Sequence, residues 1–486
     1  MRRYYFILLV YLPLITRGQA PDSLAWAALQ DAVGRFQAGE SMRHGLLGIS
    51  LINLENGQSL FNLNGEKSFP PASTMKLVTT AAALEILGDT FAFETYLEYD
   101  GAIVNGALDG NLYIRGTGDP SLGSSRFKDQ TDSATVFNNW LGALQRAGIK
   151  KITGSIIADD RYFDSGTFED TWALKDIGYA YGAGVTGLNW NENVLRIIFR
   201  PDAKAGAPAL LIRSEPVTPG FKLVNSVTTG PTGSGTDARI FPLVAEKILR
   251  VEGSVPRGRK EVAVRGALLN PARVLAGYFS DFLTGKGLPV SGQPETAGIE
   301  TEPGTKKLLH TYQSPPLSQL CRETNWWSVN IYADAMFKTM ALKLAGKPDF
   351  ATAAESLTSF WALKGVNTGG VIFKDGSGLA RAALLSPDNL TEILQKASQF
   401  KSFGTFYEGI PIAGEAGTVR SRRFGNRLNV RAKSGSFEGT RTYAGYINTR
   451  SGLRLCFAVN ANRYLPDATE EVTHALMEIV RLMSEL

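Results

Sequence analysis

The sequence predicts an α/β protein of the α+β type, in which an antiparallel sheet is flanked by helices and the chain carries inserted β-rich units. Helical patterning dominates both ends of the chain, whereas the middle third consists of short β-like runs separated by Gly, Thr, Asp and Pro. An N-terminal hairpin and a C-terminal meander can pair in one sheet, with the first and last helices on its face. The 486 residues suffice for two or three domains and a large core.

The N-terminal part shows the sequence signals of a helix, a β-hairpin and a second helix. Polar turn residues separate the two strands of the hairpin, and Pro70-Pro71 ends the extended segment. Gly88 is suited to end the second helix, since glycine tolerates the backbone conformation found there. The predicted elements are a helix at Ser23–Phe36, strands at Leu47–Asn53 and Ser59–Asn64 around a turn at Glu55–Gln58, and a helix at Ser73–Leu87.

The middle third is predicted to be an insertion. Its strand-like runs are Asn111–Arg115, Ile152–Ala158, Val194–Phe199, Ala209–Ile212, Lys222–Ser226, Lys247–Val251 and Glu261–Val264, with helices at Ala134–Ala147 and Pro271–Gly285. We therefore interpret residues 93–303 as inserted β-rich structure, expected to form two units. Residues 21–92 and 304–486 then form one discontinuous host domain.

Helical patterning resumes after the insertion and ends in a strand meander followed by an amphipathic helix. The predicted helices are Leu317–Trp327, Ile331–Ala345, Ala351–Lys364, Pro387–Gln399 and the closing Asp467–Leu486; the strands are Leu428–Lys433, Thr440–Asn448 and Leu453–Asn460.

The composition excludes several classes of protein. Hydrophobic residues make up 44% and charged residues 20%, as in ordinary globular proteins rather than disordered chains. Arg2, Arg3 and Arg17 supply three charges of the formal +5, so the rest of the chain carries +2 and gives little support for nucleic-acid binding. Three histidines and two cysteines argue against a multi-His metal centre or a disulfide scaffold. Cys321 and Cys456 could form one bridge or remain buried thiols, and the sequence leaves both open.

The first twenty residues have the three-part layout of a secretory signal. Two arginines precede an apolar stretch from Tyr4 to Ile15, and Gly18-Gln19-Ala20 places small residues where a signal peptidase reads the chain. The apolar stretch is shorter than the ~20 residues of a membrane span, so an uncleaved anchor is the weaker alternative. We expect a mature protein without a transmembrane span, exported to the periplasm or cell envelope.

Ser73-Thr74-Met75-Lys76 is the first candidate for chemistry. On a helix, positions i and i+3 share a face, so the Lys76 amine can reach the Ser73 hydroxyl. A serine needs a base to attack a carbonyl, and a desolvated neutral lysine can serve. The alternative is a capping serine beside a solvated lysine. The preceding Pro-Pro fixes the helix start at this serine and favours the catalytic interpretation.

Ser328-Val329-Asn330 lies where two helical runs meet. Serine and asparagine favour a tight turn because both hydrogen-bond their own backbone, and this turn is the structural alternative. In a functional interpretation, the hydroxyl and the amide project from the loop, where they can relay a proton and orient a substrate amide.

Lys433-Ser434-Gly435 ends a predicted strand. Lys433 shares a strand face with Arg431, and Gly435 allows another chain to approach the backbone closely. A charged lysine beside a reactive serine would attract a substrate carboxylate. Taken alone, this triplet indicates little.

Together the three motifs form the ordered set S-x-x-K, S-x-N and K-[T/S]-G, which is typical of penicillin-recognising serine enzymes. The chain resembles the low-molecular-mass class C penicillin-binding proteins, the D-alanyl-D-alanine carboxypeptidase/endopeptidase family (peptidase family S13). The resemblance covers essentially the whole mature chain, including PPASTMKLVTTAAALEILG, LYIRGTGDPSL, DGSGLAR and RAKSGSFEGTRTYAGYI. The long insertion between Ser73 and Ser328 is also similar to this family.

This resemblance implies a penicillin-binding, β-lactamase-like transpeptidase fold and a serine-type D-Ala-D-Ala carboxypeptidase, which could also be an endopeptidase. Ser73 would attack the D-Ala–D-Ala carbonyl of peptidoglycan stem peptides, with Lys76 as its base. Ser328 would pass a proton to the leaving amine, with Lys433 nearby, and Asn330 would hold Lys76 and the substrate amide. β-Lactam antibiotics would be inhibitors, and no metal or cofactor is needed.

The resemblance also implies the binding residues. Lys433 and Ser434 would bind the terminal carboxylate, and Gly435 belongs to the same motif. Backbone N–H groups of Ser73 and Ser436 would form the oxyanion hole. The chain departs from the family in two places: Ser434 stands where threonine is commoner, and Asp334 stands where glutamate is expected.

Other signals support weaker interpretations. The run GAGVTG from Gly182 to Gly187 fits a dinucleotide fingerprint but leads into a strand rather than a helix, so it is interpreted as a loop. Asp375-Gly376-Ser377-Gly378 suggests an exposed serine, but its spacing is not that of a nucleophile elbow and favours a turn. Trp326-Trp327 could stack on a sugar, although such pairs are more often core residues.

Two rival functions stay open. One is a β-lactamase or esterase of the same fold, which the long insertion disfavours. The other is a non-catalytic wall-binding scaffold, against which the intact motifs argue. The sequence does not separate carboxypeptidase from endopeptidase action, nor does it give the oligomeric state.

Overall fold

The computed structural model describes residues 23–163, 166–243, 245–298, 305–422 and 429–486. The helices are α1 Ser23–Ala38, α2 Met75–Leu87, α3 Ser133–Arg146, α4 Leu174–Ile177, α5 Pro271–Gly285, α6 Leu317–Trp327, α7 Asn330–Ala345, α8 Phe350–Leu363, α9 Pro387–Ala397, α10 Phe403–Glu408 and α11 Thr469–Met483. The strands up to residue 200 are β1 Leu46–Asn53, β2 Ser59–Leu63, β3 Glu94–Tyr99, β4 Ala102–Val104, β5 Ala107–Asp109, β6 Leu112–Gly116, β7 Lys151–Ile152, β8 Ile156–Asp159 and β9 Val194–Arg200. The later strands are β10 Leu210–Glu215, β11 Lys222–Gly230, β12 Arg239–Leu243, β13 Ile248–Pro256, β14 Val262–Ala267, β15 Glu295–Thr296, β16 Lys307–Gln313, β17 Asn429–Phe437, β18 Thr440–Asn448 and β19 Arg454–Asn462.

The host sheet joins the two ends of the chain. Its order is β17-β18-β19-β1-β2, and every neighbouring pair is antiparallel. Helices α1 and α11 pack against each other and against one face of this sheet in one hydrophobic core. The other face packs against α9 in a second core that includes α2, α6, α7 and α8. The predicted α+β class, and the pairing of the hairpin with the meander, are confirmed.

Helix α2 lies at the centre of the host domain. Its residues from Met75 to Leu84 are all buried, because α6, α7 and α9 pack around it. A helix that is apolar on every side is expected in such a position. The helix ends at Gly88, whose φ of 95° is open to glycine. The predicted helix start at Ser73 is a 3-10 turn over Ala72–Thr74, and the α-helix begins only at Met75.

The inserted segment is rich in β structure, as predicted. Among its described residues, four sheets have the orders β15-β8-β6-β3-β16, β10-β9-β14, β11-β13-β12 and β4-β5-β7. Together with α3 and α5 these sheets share one hydrophobic core. Strand β16 pairs with β3, which lies at the start of the insertion. The division into domains stays a prediction. Its expected boundary at residue 303 falls before β16, so the predicted host domain would include one strand of a sheet that otherwise belongs to the insertion.

Some predictions concern residues outside the described ranges. The secretory signal over residues 1–20 and the boundary between residues 303 and 304 both lie there. Across the ranges that are described, none of the helices combines the length and apolarity needed to cross a bilayer. Cys321 and Cys456 are free, buried thiols in this structure, and the Cys321 Sγ lies 3.7 Å from the Met336 sulfur.

Candidate active site

The first motif brings a hydroxyl and an amine together at the start of α2. Lys76 Nζ donates a hydrogen bond to Ser73 Oγ at 3.1 Å, and also to Asn330 Oδ1 at 2.6 Å and to the Ser377 carbonyl at 2.7 Å. The Lys76 side chain is wholly buried, whereas Ser73 remains partly exposed. The Ser73 hydroxyl is therefore accessible to a ligand, and it is hydrogen-bonded to the desolvated amine of Lys76.

The second motif forms the turn between α6 and α7, as its composition predicts. Ser328 has left-handed backbone angles, φ 59° and ψ 42°, and α7 begins at Asn330. Both polar atoms of the Asn330 side-chain amide form hydrogen bonds: Oδ1 accepts from Lys76, and Nδ2 donates to the Tyr181 carbonyl at 2.7 Å. Because Tyr181 belongs to the inserted segment, that segment also contacts the site.

The third motif lies on β17, an edge strand of the host sheet. Lys433 is wholly buried, and its Nζ donates to Ser328 Oγ at 3.0 Å and to the Ser434 carbonyl at 2.8 Å. The Ser434 hydroxyl lies 2.8 Å from Thr418 Oγ1, and Ser436 is exposed. The three motifs therefore converge on one site.

Two glycines allow the turn that carries Ser73 to fit against its neighbours. A Cβ atom on Gly435 would lie 2.9 Å from the Ser73 backbone nitrogen, and one on Gly378 would lie 1.9 Å from the Ala72 carbonyl oxygen. Gly378 also has a φ of 74°, which disfavours other residues. The close approach predicted at Gly435 is confirmed, and it places the Ser73 N–H beside the strand that carries Ser436.

Burial determines the electrostatics of the two lysines. Burial lowers the pKa of Lys76 to about 8, although the charges of Asp334 and Asp375 act in the opposite direction. Burial also lowers the pKa of Lys433 well below its ordinary value, and the nearby Lys76 lowers it further. A neutral lysine is therefore accessible near neutral pH, and a neutral amine is the form that can accept a proton.

The sequence analysis did not assign the turn Asp375-Gly376-Ser377-Gly378 to the site. The turn itself is confirmed, but the Ser377 side chain is wholly buried. Its contribution is the Ser377 backbone carbonyl, which accepts from Lys76. Residue patterns signal side chains rather than carbonyl orientation, so the motif alone does not reveal this role.

Asp334, the departure from the expected glutamate, is buried against the turn Asp375-Gly376-Ser377-Gly378, which we name the catalytic turn because its Ser377 carbonyl accepts from Lys76. Its Oδ1 accepts from the Gly376 N–H at 3.0 Å, and Oδ2 is buried with no hydrogen-bond partner among the described residues. Burial raises the pKa of Asp334 well above its ordinary value, and the charge of Asp375 raises it further. Asp334 is thus suited to hold a proton, which limits the negative charge behind Lys76.

The motifs open into a cleft of about 780 Å³ between the host domain and the insertion. Ser73, Ser328, Asn330 and Ser436 line the host side. The insertion contributes Lys175, Asp176, Tyr179, Tyr181, Arg239 and Phe241. Among the described residues, no group of three or more His, Cys, Asp or Glu side chains is arranged to hold a metal ion.

Known proteins are similar to this chain in both sequence and fold. A D-alanyl-D-alanine carboxypeptidase from an Actinomadura species is 27% identical over 96% of this chain and 87% of its own length. A D-alanyl-D-alanine carboxypeptidase from Haemophilus influenzae is 27% identical over 87% of this chain and 86% of its own. The crystal structure of penicillin-binding protein 4 from Haemophilus influenzae superimposes with a TM-score of 0.79 at 25% identity, covering 94% of this chain and 98% of that one.

The match to a family extends over almost the whole molecule. Residues 29–483 fit the D-Ala-D-Ala carboxypeptidase 3 (S13) family, and this span includes the host domain, the insertion and all three motifs. The resemblance inferred from the motifs is confirmed. The chain belongs to the D-Ala-D-Ala carboxypeptidase 3 (S13) family.

Proposed function

We propose that this chain is a serine-type D-Ala-D-Ala carboxypeptidase, which removes the terminal D-Ala from peptidoglycan stem peptides through an acyl-enzyme on Ser73. The hydrogen bond between the buried Lys76 amine and the Ser73 hydroxyl is the observation that carries this proposal. It supplies a nucleophile and a base in contact, with the pKa of that base lowered to about 8.

Acylation begins with proton transfer. Neutral Lys76 takes the proton of Ser73 Oγ as the oxygen attacks the carbonyl carbon between the two D-Ala residues. Negative charge then develops on the carbonyl oxygen. The N–H groups of Ser73 and Ser436 stabilise this charge as the proposed oxyanion hole, and one such donor is typically worth ~10²–10³ in rate.

Collapse of the tetrahedral intermediate breaks the C–N bond and requires a proton on the leaving nitrogen. Ser328 Oγ delivers this proton and takes up in its place the proton that Lys76 removed from Ser73, so that Lys76 becomes neutral again. The Lys433 amine, 3.0 Å from Ser328 Oγ, supports the transfer. Asn330 keeps Lys76 in place through the 2.6 Å bond to Oδ1. Free D-Ala departs, and the shortened peptide stays attached to Ser73 as an ester.

Deacylation repeats these steps with water. Neutral Lys76 accepts a proton from the water that attacks the ester, and it passes this proton to the Ser73 oxygen as that oxygen leaves. The peptide is released with a new carboxylate, and the enzyme returns to its starting state.

Recognition of the substrate depends on charge. The terminal carboxylate binds beside Lys433 and the hydroxyl of Ser434, since a carboxylate next to this buried amine accepts its hydrogen bonds and favours its protonated, charged form. A penicillin presents a carboxylate and a strained amide in a similar arrangement, so it acylates the same serine. Penicillin-binding protein 4 from Haemophilus influenzae has been crystallised in complex with a β-lactam.

Residues 1–20 and the proposed substrate support the same compartment. A secretory signal would deliver the enzyme to the periplasm or cell envelope, where stem peptides ending in D-Ala-D-Ala are exposed. Fractionation of cells that produce the full chain tests this assignment; enzyme retained in the cytoplasm would contradict it.

The activity test uses the mature protein and an acetylated peptide ending in D-Ala-D-Ala. We expect release of D-Ala, none from the same peptide ending in L-Ala-L-Ala, and none with Ser73→Ala. A cross-linked muropeptide dimer tests endopeptidase action in parallel. Rapid hydrolysis of penicillin without D-Ala release would contradict the proposal and indicate a β-lactamase; folded protein inactive on every substrate would indicate a scaffold.

A further inference from the structure

Trp172 connects the inserted segment to the catalytic turn of the host domain. Its indole Nε1 donates a hydrogen bond to Asp375 Oδ2 at 2.7 Å. The ring is buried in the host core, with edge-to-face contacts to Phe168 and Phe350 at 6.1 and 6.0 Å. Packing thus fixes the position of the indole, and its N–H is held in place to bond Asp375.

Asp375 folds the turn that faces Lys76. Besides the bond from Trp172, its Oδ1 accepts from the Gly378 N–H at 2.6 Å and its Oδ2 from the Ala380 N–H at 2.8 Å. These bonds close the backbone around Ser377, whose carbonyl points at the lysine. Three N–H donors on one buried carboxylate make a strong local anchor, because charge-assisted hydrogen bonds are stronger than neutral ones.

The Ser377 carbonyl controls the direction of the Lys76 lone pair. A neutral amine has two N–H donors and one lone pair. When it donates to Asn330 Oδ1 at 2.6 Å and to the Ser377 carbonyl at 2.7 Å, its remaining direction faces Ser73 Oγ at 3.1 Å. Displacement of either acceptor would allow the amine to rotate and turn its lone pair away from the hydroxyl proton.

We propose that Trp172 is a positioning residue for the base Lys76, acting through Asp375 and the Ser377 carbonyl, so that the insertion is part of the acylation machinery. This inference rests on the proposed function of Ser73 and Lys76. It gives the insertion a chemical role in addition to lining the cleft.

The matched control is another buried tryptophan of the insertion. Trp140 is wholly buried against Phe137 and Phe279, and its Nε1 has no hydrogen-bond partner among the residues that the structure describes. Trp140→Phe and Trp172→Phe therefore make the same change of ring, but only the second removes a hydrogen bond to the catalytic turn.

The experiment measures acylation of the mature protein by a labelled penicillin, separating the affinity of the first complex from the acylation rate constant. We expect Trp172→Phe to lower the rate constant about tenfold or more, as expected for loss of a hydrogen bond to a charged group, with unchanged affinity. Trp140→Phe should acylate at the wild-type rate. Equal rates for the two variants would overturn the proposal.

A double-mutant cycle with Asp375→Asn tests the route of the effect. If Trp172 acts through Asp375, Trp172→Phe has little further effect in the Asp375→Asn background; additive losses would contradict this route. If Trp172→Phe does not fold, Asp375→Asn decides alone, and wild-type acylation in that variant overturns the proposal. A wild-type protein that takes no label would overturn the proposed function as well, whereas a labelled wild type with equal variants would overturn only this inference.

Discussion

Gly435→Ala tests how closely the nucleophile turn must fit against strand β17. The added Cβ would lie 2.5 Å from Thr442 Oγ1, 2.9 Å from the Ser73 nitrogen and 3.0 Å from the Pro71 carbonyl oxygen. The threonine hydroxyl can rotate away, although it then gives up its 3.2 Å bond to the Pro71 carbonyl. The other two atoms are backbone atoms of the turn, so the turn itself must move.

The expected cost has two parts. Overpacking of a well-packed site typically destabilises a protein by about 1–3 kcal/mol. In addition, displacing the Ser73 N–H removes a donor of the proposed oxyanion hole, which corresponds to ~10²–10³ in rate. Because the site is damaged directly, the rate should fall much further than the small loss of stability alone would explain.

The assay compares the rate of acylation by a labelled penicillin with the thermal unfolding temperature. Gly404→Ala is the control, since Gly404 lies in helix α10 and a Cβ there would meet no atom within 4 Å. We expect Gly404→Ala to acylate normally and to unfold at an unchanged or higher temperature. Wild-type acylation by Gly435→Ala would refute the reasoning, because it would show that the turn has room to spare.

Three further predictions concern titration, buried carboxyls and thiols. The acylation rate should rise with pH through about 8, since the neutral, proton-accepting fraction of Lys76 grows as the pH passes its pKa; a pH–rate profile that is flat there would contradict a lysine base. Asp334→Asn should change the free energy of unfolding little, because the raised pKa of Asp334 favours its protonated form. Asp375→Asn should lower the free energy of unfolding by about 1–3 kcal/mol, because it places an amide against N–H donors. Urea unfolding measures both variants, and equal losses of stability would contradict the prediction. Cys321 and Cys456 should resist a thiol reagent in the folded protein and react in denaturant without reductant, because burial raises the pKa of both thiols; failure to react after unfolding would indicate a disulfide.

The host domain could be predicted well because its elements carry strong local signals. Helix α6 has the predicted bounds, and α2 ends at the glycine that the pattern indicates. Strand β16 was missed for the opposite reason: most of its residues are exposed or only partly buried, so no clear alternation marks it. It becomes a strand by pairing with β3, far away along the chain.

The site divides in the same way. The sequence could predict the site residues whose chemistry resides in side chains within recognisable motifs. The structure brings these residues together: Ser73, Lys76, Asn330 and Lys433. Other contributions depend on tertiary contacts. The Ser377 carbonyl and the indole of Trp172 have no local pattern that indicates a role, since each meets its partner only in the folded protein. The carbonyl bonds Lys76 within the host domain, and the indole bonds Asp375 from the insertion.

The central claim is that Ser73 is the nucleophile. The most direct test incubates the purified mature protein with penicillin and locates the adduct by peptide mass spectrometry, beside a Ser73→Ala control shown to be folded. The account predicts one stable adduct on the peptide that contains Ser73, absent from the control. A folded wild-type protein without an adduct, or an adduct that persists in Ser73→Ala, would contradict it.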